Sequence, residues 1–406
     1  MDSQVLSSSG PSATELREGM VGRLRGEGAI RSAAVAAVMG EVPRDAFVPG
    51  SALAEAYGSG PVVTHRDEAG VAISSASAPG VVATMLEQLD VREGHRVLEI
   101  GTGTGYNAAL LTRLVGPSGA VTSIEYDKDV ADSARGALSR TGYEVELVVG
   151  DGAEGWAATA PYDRIIVTAG AWDVTAAWRD QLADGGILLV PLRMAGLTRA
   201  VALRRDGEVL RSESLEPCGF IPLRGVDAVA EQNVWVGGQN GDLLLRIDDG
   251  GLVDVEAAGR ALEYPGAIVW TGIEFVMPEI LDFWLARLPG FCRVLASRDA
   301  VEAGRITSPQ FPWGSMGVVS GGTVAYLTVT ADFSQLGVAS YGPDSQELAE
   351  QVSAQIREWK ADGGPRMSVS VEVHPAGAQP QPDTWLLLVK KDSTVMITMR
   401  GGDLRQ

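Results

Sequence analysis

Between Val97 and Tyr106 the chain reads Val-Leu-Glu-Ile-Gly-Thr-Gly-Thr-Gly-Tyr. Three alternating glycines, Gly101, Gly103 and Gly105, follow a short apolar run and precede a helical pattern. Glycine lets a chain turn sharply and bring its backbone against a ligand. The dinucleotide fingerprint spaces its glycines G-x-G-x-x-G and sets a pyrophosphate on the following helix. Here the spacing is G-x-G-x-G behind an acidic residue, Glu99. It suits a ligand with an amino-acid end and a nucleoside end. Two more acidic groups fall where the next strands should stop: Glu125, and Asp151 followed by Gly152. At those places Glu99 can hold an α-ammonium and Glu125 both hydroxyls of a ribose. Asp151 can accept from an adenine amino group. Each alone also reads as a solvated loop residue. Together they point to S-adenosylmethionine, which carries a sulfonium and an ammonium.

The elements that must position these groups follow from periodicity. Strands are predicted at Arg96–Ile100, Ala120–Glu125, Glu144–Val149, Arg164–Thr168 and Gly186–Pro191. Helices are predicted at Pro79–Leu89, Tyr106–Val115 and Val130–Arg140, and helical spacing runs from Glu15 to Met39. Alternation of this kind implies an α/β fold with a doubly wound, mostly parallel sheet, whose ligand lies beyond the strands' carboxyl ends. Near Gly225 the pattern changes. Strand-like runs at Leu243–Ile247, Ala267–Ile273, Thr323–Thr330, Met367–Val373, Trp385–Lys390 and Thr394–Met399 alternate with helices at Pro278–Leu288 and Asp344–Asp362. Leu348, Val352, Ile356 and Trp359 share one stripe of the last helix. The expected organisation is a flexible start (1–14), an α/β domain (15–225) and a C-terminal α+β domain (226–406). Six of nine tryptophans lie in that last part: Trp235, Trp270, Trp284, Trp313, Trp359 and Trp385. They read as core aromatics or as the lining of a peptide groove.

Composition narrows the class. Apolar residues make 45% of 406, which excludes a largely disordered chain. The net charge of −19 is spread along the sequence: residues 1–224 hold 20 basic and 29 acidic side chains. That argues against nucleic-acid binding. No apolar run reaches the ~20 residues of a membrane helix, and the Ser-rich start does not resemble a signal peptide. Two cysteines, Cys218 and Cys292, exclude a disulfide framework and fit a cytoplasmic protein. Three scattered histidines, His65, His95 and His374, make a metal site unexpected. His65 reads as a surface-loop residue, and Cys218 as buried rather than reactive.

The stretch from Leu16 to Gly225 resembles the protein-L-isoaspartate O-methyltransferase family. The similarity runs through Val42-Pro43-Arg44-Asp45-Ala46-Phe47-Val48-Pro49, Ser75-Ala76-Ser77-Ala78-Pro79 and the glycine loop Leu98–Tyr106. It continues through Gly150-Asp151-Gly152, Ala160-Pro161-Tyr162-Asp163, Ile165–Ala169 and Gly219-Phe220-Ile221-Pro222-Leu223. The resemblance implies a class I, Rossmann-like methyltransferase using S-adenosyl-L-methionine, with Ser77 matching the active-site serine. It implies cofactor contacts at Glu99, Gly101, Gly103, Gly105, Glu125, Asp151 and Gly152. Ser75, Thr102, Tyr126 and Thr168, which flank these motifs, join them as candidate cofactor-binding positions. Ser75 stands where the family has Thr, Ala76 where it has Ile, and Gly80 where it often has His. The usual short approach to Ser75 is replaced by Val63–Gly70. These departures touch the substrate side.

The added domain makes the chain similar to long forms that tailor ribosomally made peptides, the graspetide and lanthipeptide methyltransferases. Their product is an Asp ester, which closes to an aspartimide and can open to isoaspartate. General isoaspartyl repair is the alternative. A retired, peptide-binding scaffold is another, although it would not need the glycine loop and its acids. A carboxylate acceptor is already ionised near neutral pH, so no general base is required, and positioning carries the rate. Ser77 would donate to that carboxylate or to the cofactor's; it is also placed to cap the helix that begins at Pro79. The expected partner is a peptide or protein bearing the target Asp. Oligomeric state is open.

Overall fold

A computed structural model describes residues 10–226, 229, 232–237, 241–248, 253–275, 277, 280–311 and 314–401. The chain forms two compact units: residues 1–192, 198–228 and 391–393, and residues 193–197, 229–390 and 394–406.

In the first unit, α1 (Ala13–Gly26) opens with a capping box in which Ser12 and Glu15 satisfy each other's backbone. The helical pattern expected from Glu15 to Met39 is two helices. Gly28 takes a left-handed turn (φ +77), and Ser32 caps α2 (Ala33–Glu41). A 3₁₀ turn at Arg44–Phe47 and the short α3 (Leu53–Ala56) follow. Val62–Arg66 (β1) and Ala72–Ala76 (β2) pair as an antiparallel hairpin. His65 therefore lies in a half-buried strand, not a surface loop. The Val63–Gly70 insertion is this hairpin, closed where Asp67 Oδ1 accepts from the Val71 N–H at 2.8 Å.

Then come α4 (Pro79–Leu89), β3 (Arg96–Ile100), α5 (Tyr106–Val115), β4 (Ala120–Glu125), α6 (Lys128–Thr141), β5 (Glu146–Val149), β6 (Tyr162–Val167), α7 (Ala176–Gln181) and β7 (Leu182–Met194). The hairpin β8 (Leu197–Asp206) and β9 (Val209–Pro217), not anticipated from the sequence, gives the strands of this unit the order β9-β8-β7-β6-β3-β4-β5. β3 pairs in parallel with β4 on one side and β6 on the other. The chain direction around the sheet reverses there, which makes the crevice above β3 and β6 the ligand-binding position of such a sheet. Leu110, Leu111, Val97 and Ile166 are fully buried beneath it.

The second unit contains β10 (Gln232–Val236), β11 (Leu243–Ile247), α8 (Val255–Gly259), β12 (Gly266–Glu274), α9 (Leu281–Leu285), β13 (Phe291–Ala296), α10 (Arg298–Glu302), β14 (Ser315–Ser320), β15 (Thr323–Val329), β16 (Gln335–Tyr341) and α11 (Ser345–Ala361). β17 (Ser368–Pro375), β18 (Leu386–Val389) and β19 (Ser393–Arg400) follow. Seven of these strands form an antiparallel sheet in the order β10-β11-β13-β14-β15-β16-β12. The α11 stripe Leu348, Val352, Ile356 and Trp359 joins the same core as Val269, Leu327 and Val338. The helix expected at Pro278–Leu288 is only α9; Pro278 and Glu279 lie outside the described residues.

The tryptophans divide. Trp284 and Trp359 are buried, and Trp385 lies 4.4 Å from Trp284 with Arg287 over both rings. Trp235 and Trp270 are exposed, and Trp313 lies outside the described residues.

Candidate active site

The glycine loop leaves β3 and enters α5 through three left-handed residues, Gly101 (φ +94), Gly103 (φ +53) and Gly105 (φ +85). A side chain at Gly101 would stand 2.7 Å from Thr168 Oγ1, so the loop passes where only glycine fits. Thr168, just after β6, donates its hydroxyl to the Gly101 carbonyl at 2.5 Å and pins the turn. The Gly101 and Thr102 N–H groups donate to the Ile124 carbonyl at 2.8 and 3.1 Å. Gly103 lies beside β2: its absent Cβ would sit 3.6 Å from the Ser75 carbonyl. The cofactor loop and the Ser75–Ser77 segment are thus brought together.

The acids fall at three consecutive strand ends, and two of them, Glu125 and Asp151, are held by backbone N–H groups. Glu125 ends β4 and accepts from the Gly103 N–H at 2.9 Å and the Asp127 N–H at 3.1 Å. A carboxylate has about four lone-pair sites, so two remain for hydroxyl donors. Asp151 accepts from the Ala153 N–H at 2.9 Å and the Val226 N–H at 2.9 Å. Tyr126 is half exposed beside Glu125. Gly152 is tight: a Cβ there would meet Ile100 Cγ2 at 2.4 Å.

Glu99 lies within β3. It is fully buried, and its oxygens accept from Asn107 Nδ2 at 2.8 Å and Ser123 Oγ at 2.5 Å. Ser123 also shares a hydrogen bond with Thr102 Oγ1 at 2.6 Å. Glu99 therefore braces the loop from beneath. Burial pushes its carboxyl up to about 7, against the pull of the Ser123 and Asn107 hydrogen bonds; the charge of Glu125 adds to the rise.

A group whose folded pKa is raised loses stability as pH climbs through the window between its ordinary 4.5 and about 7. We expect the unfolding free energy of wild type minus Glu99→Gln to fall by about 1.4 kcal/mol per pH unit across that window. Above it the difference should be flat. Parallel curves from pH 4 to 8 in urea titrations would remove the assigned shift.

Ser77 does not cap α4. The cap position is Ala78, with no side-chain bond, and Ser77 lies one residue outside it. Among the described residues the Ser77 hydroxyl has no hydrogen-bond partner, and its carbonyl accepts from Arg44 Nη2 at 2.8 Å. Cys218 is inert by environment, its thiol pushed up to about 12 by burial.

Sequence reasoning passed over four residues here. Asn107 and Ser123 hold Glu99; Ser123 stands opposite Glu99 in the parallel β3–β4 register, a signal visible once the strands are aligned. Asp127 caps α6, accepting from the Asp129 and Val130 N–H groups. Arg224 lies 3.8 Å from Glu125 Oε1 and 3.4 Å from Asp127 Oδ2, with its guanidinium over Tyr126. It belongs to the Phe220–Val226 segment, anchored where the Leu223 N–H donates to the Gly170 carbonyl at 2.9 Å.

Residues 15–228, more than half the chain, match the family model for protein-L-isoaspartate(D-aspartate) O-methyltransferase. The chain belongs to that family. A protein-L-isoaspartate O-methyltransferase of Methanopyrus kandleri is 42% identical over 219 residues, covering 53% of this chain and 94% of the relative. One from Methylorubrum populi is 42% identical over 201 residues, covering 49% and 91%. A solved structure titled protein-L-isoaspartate O-methyltransferase covers 94% of this chain and 99% of its own, with a TM-score of 0.52 and 22% identity; that likeness is one of fold. The protein is a methyltransferase that uses S-adenosyl-L-methionine to esterify carboxylates. Its glycine turn and strand-end acids fit that group, whose amino-acid and nucleoside ends are both polar and whose net charge is positive. Among the described residues there is no cluster of three metal-ligating side chains, and no helix is long and apolar enough to cross a membrane.

Proposed function

We propose that this family member methylates an Asp side-chain carboxylate of a macrocyclic, ribosomally made peptide, giving an ester that closes to an aspartimide. The observation carrying this reading is the substrate-side surface. The hairpin β1–β2 rebuilds the approach to the serine segment, and Ser75, Ala76 and Gly80 depart from the family's pattern while the glycine turn and its acids do not. The 226–406 region would contribute peptide recognition. A second reading, isoaspartyl repair, is favoured by the 42% identity to the Methanopyrus kandleri protein over nearly its whole length. The full-length fold likeness means that an added unit does not by itself separate the two.

When bound, the cofactor supplies a methyl group on a sulfonium. The chain's task is to hold a carboxylate oxygen in line with it. The acceptor arrives ionised, so no residue has to remove a proton. The Ser77 hydroxyl, without a partner among the described residues and two residues from the Ser75 that meets Gly103, donates to the carboxylate oxygen that is not attacked. Glu125 and Asp151 orient the nucleoside end. Ser75 and Gly103 bring the two halves of the site together. Glu125 and Asp151 would hold the cofactor, and the cofactor would supply the methyl that the carboxylate oxygen accepts.

Replacing Ser77 with Ala removes one charge-assisted hydrogen bond, of about 1.5–3 kcal/mol. We expect kcat/KM to fall about 10- to 100-fold with affinity for S-adenosylhomocysteine unchanged. A loss that follows cofactor affinity would move Ser77 out of the substrate's site. The substrate itself is decided by mass spectrometry of parallel reactions on an isoaspartyl peptide and on a cyclised precursor peptide encoded beside the gene. Gain of one methyl on the precursor, then loss of methanol to a species one water lighter than the start, supports tailoring. Methylation of the isoaspartyl peptide alone means repair.

A further inference from the structure

We infer that Arg44 is a positioning residue for methyl transfer, setting Ser77 through its backbone carbonyl and favouring an anion at its hydroxyl. The inference rests on the reading of Ser77 given above. Arg44 begins the 3₁₀ turn after Pro43 and is fully buried. Its Nε donates to the Ala56 carbonyl at 2.7 Å. Its Nη2 donates to the carbonyls of Ser77 at 2.8 Å and Ala76 at 3.3 Å. The guanidinium carbon lies 5.0 Å from the centre of the Tyr106 ring, the first residue of α5 directly after Gly105. One side chain thereby ties the serine segment to the α3 segment and to the exit of the glycine loop.

Two features argue that this cation does more than fill space. Its recorded acceptors are neutral carbonyls, and among the described residues it has no ion-pair partner. Burying a charge without a counterion is costly, and an apolar side chain of similar volume would avoid that cost. Its Nη1 and the Tyr106 hydroxyl are also buried without hydrogen-bond partners. An arginine here is explained by use: a planar fork reaches carbonyls from two segments, and its uncompensated charge sits across the Ser77 peptide unit from the hydroxyl that meets the acceptor carboxylate. Lysine would keep the charge and lose the fork.

The test is a double-mutant cycle on the full chain, using Arg44→Lys, Arg44→Gln, Ser77→Ala and the pairs, with whichever of the two peptides the wild type methylates. We expect kcat to fall about 10-fold in Arg44→Lys and further in Arg44→Gln, with S-adenosylhomocysteine affinity held within about twofold. In the Ser77→Ala background the Arg44→Lys loss shrinks below about twofold, because both act through one group. Equal losses in both backgrounds, or losses that follow cofactor affinity, overturn the inference while leaving the Ser77 reading standing. A wild type inactive on both peptides overturns both. Should the Arg44 variants fail to fold by circular dichroism, side-chain nitrogen NMR of the wild type decides. The Arg44 Nε–H resonance, identified by its contact with labelled alanine methyls, shifts on adding peptide and not on adding S-adenosylhomocysteine alone. A resonance indifferent to peptide overturns the inference.

Discussion

Replacing Glu125 with Ala is expected to weaken S-adenosylhomocysteine binding by about 10²- to 10⁴-fold, from two lost charge-assisted hydrogen bonds of about 1.5–3 kcal/mol each. The reasoning starts from occupancy. Glu125 already accepts the Gly103 and Asp127 N–H groups, which fixes the carboxylate plane and leaves about two lone-pair sites directed away from its own backbone partners. Vicinal ribose hydroxyls need two acceptors at that separation. Alanine removes both and also releases the Gly103 N–H, so the glycine turn loses one of its ties to β4. Glu125→Gln separates these contributions. Its amide oxygen can keep the Gly103 bond, while its NH₂ offers a donor where a hydroxyl needs an acceptor. We expect Gln to lose about 10- to 100-fold. Calorimetric titration with S-adenosylhomocysteine at 0.15 M salt reads both variants. Affinity within threefold of wild type in Glu125→Ala would remove Glu125 from the cofactor site.

Part of this site was legible from residue types alone, because glycine and carboxylates at strand ends have few other uses. The G-x-G-x-G spacing allowed a sharp turn, and Gly101, Gly103 and Gly105 make it with left-handed backbone. Other assignments failed where a tertiary contact outweighed local chemistry. What holds Glu99 was not visible either: the β3–β4 register sets it opposite Ser123, inside the sheet. Ser77 reads as a cap because it stands just ahead of Pro79, but the cap position falls on Ala78 and leaves Ser77 one residue outside. Arg44 lies inside a recognisable block, and nothing in its neighbours shows that its acceptors are 12 and 32–33 residues away. The same limit applies to strands. β14 and β16 carry Gly317 and Gly337 in their centres, which weakens the alternation that marks a strand. In the structure those glycines admit close neighbours: a Cβ at Gly337 would lie 2.6 Å from the Trp270 ring.

The largest loss of stability is expected from Trp178→Ala, at about 3–5 kcal/mol, a large share of a domain's usual 5–15. Trp178 is fully buried in α7, and its indole Nε1 donates to the Gly152 carbonyl at 2.8 Å. Two effects add. The substitution opens a cavity the size of most of an indole, and it leaves the Gly152 carbonyl without its donor. Gly152 cannot drift to compensate, because it is already packed against Ile100 with no room for a Cβ. Trp178→Phe isolates the second effect: most of the volume stays and the hydrogen bond goes, for about 1–3 kcal/mol. Asp151, one residue before Gly152, holds the Ala153 and Val226 N–H groups, so slack at Gly152 reaches the third strand-end acid directly. Trp178→Phe should therefore also weaken S-adenosylhomocysteine several-fold, whereas a core substitution of equal cost in the second unit should not. Because the chain has two units, the loss must be read on the right one. Amide exchange of peptides spanning residues 96–192 in a urea series does so. A Trp178→Ala protein whose exchange midpoint there moves by less than about 1.5 kcal/mol would mean that the site around Gly152 collapses to refill the space.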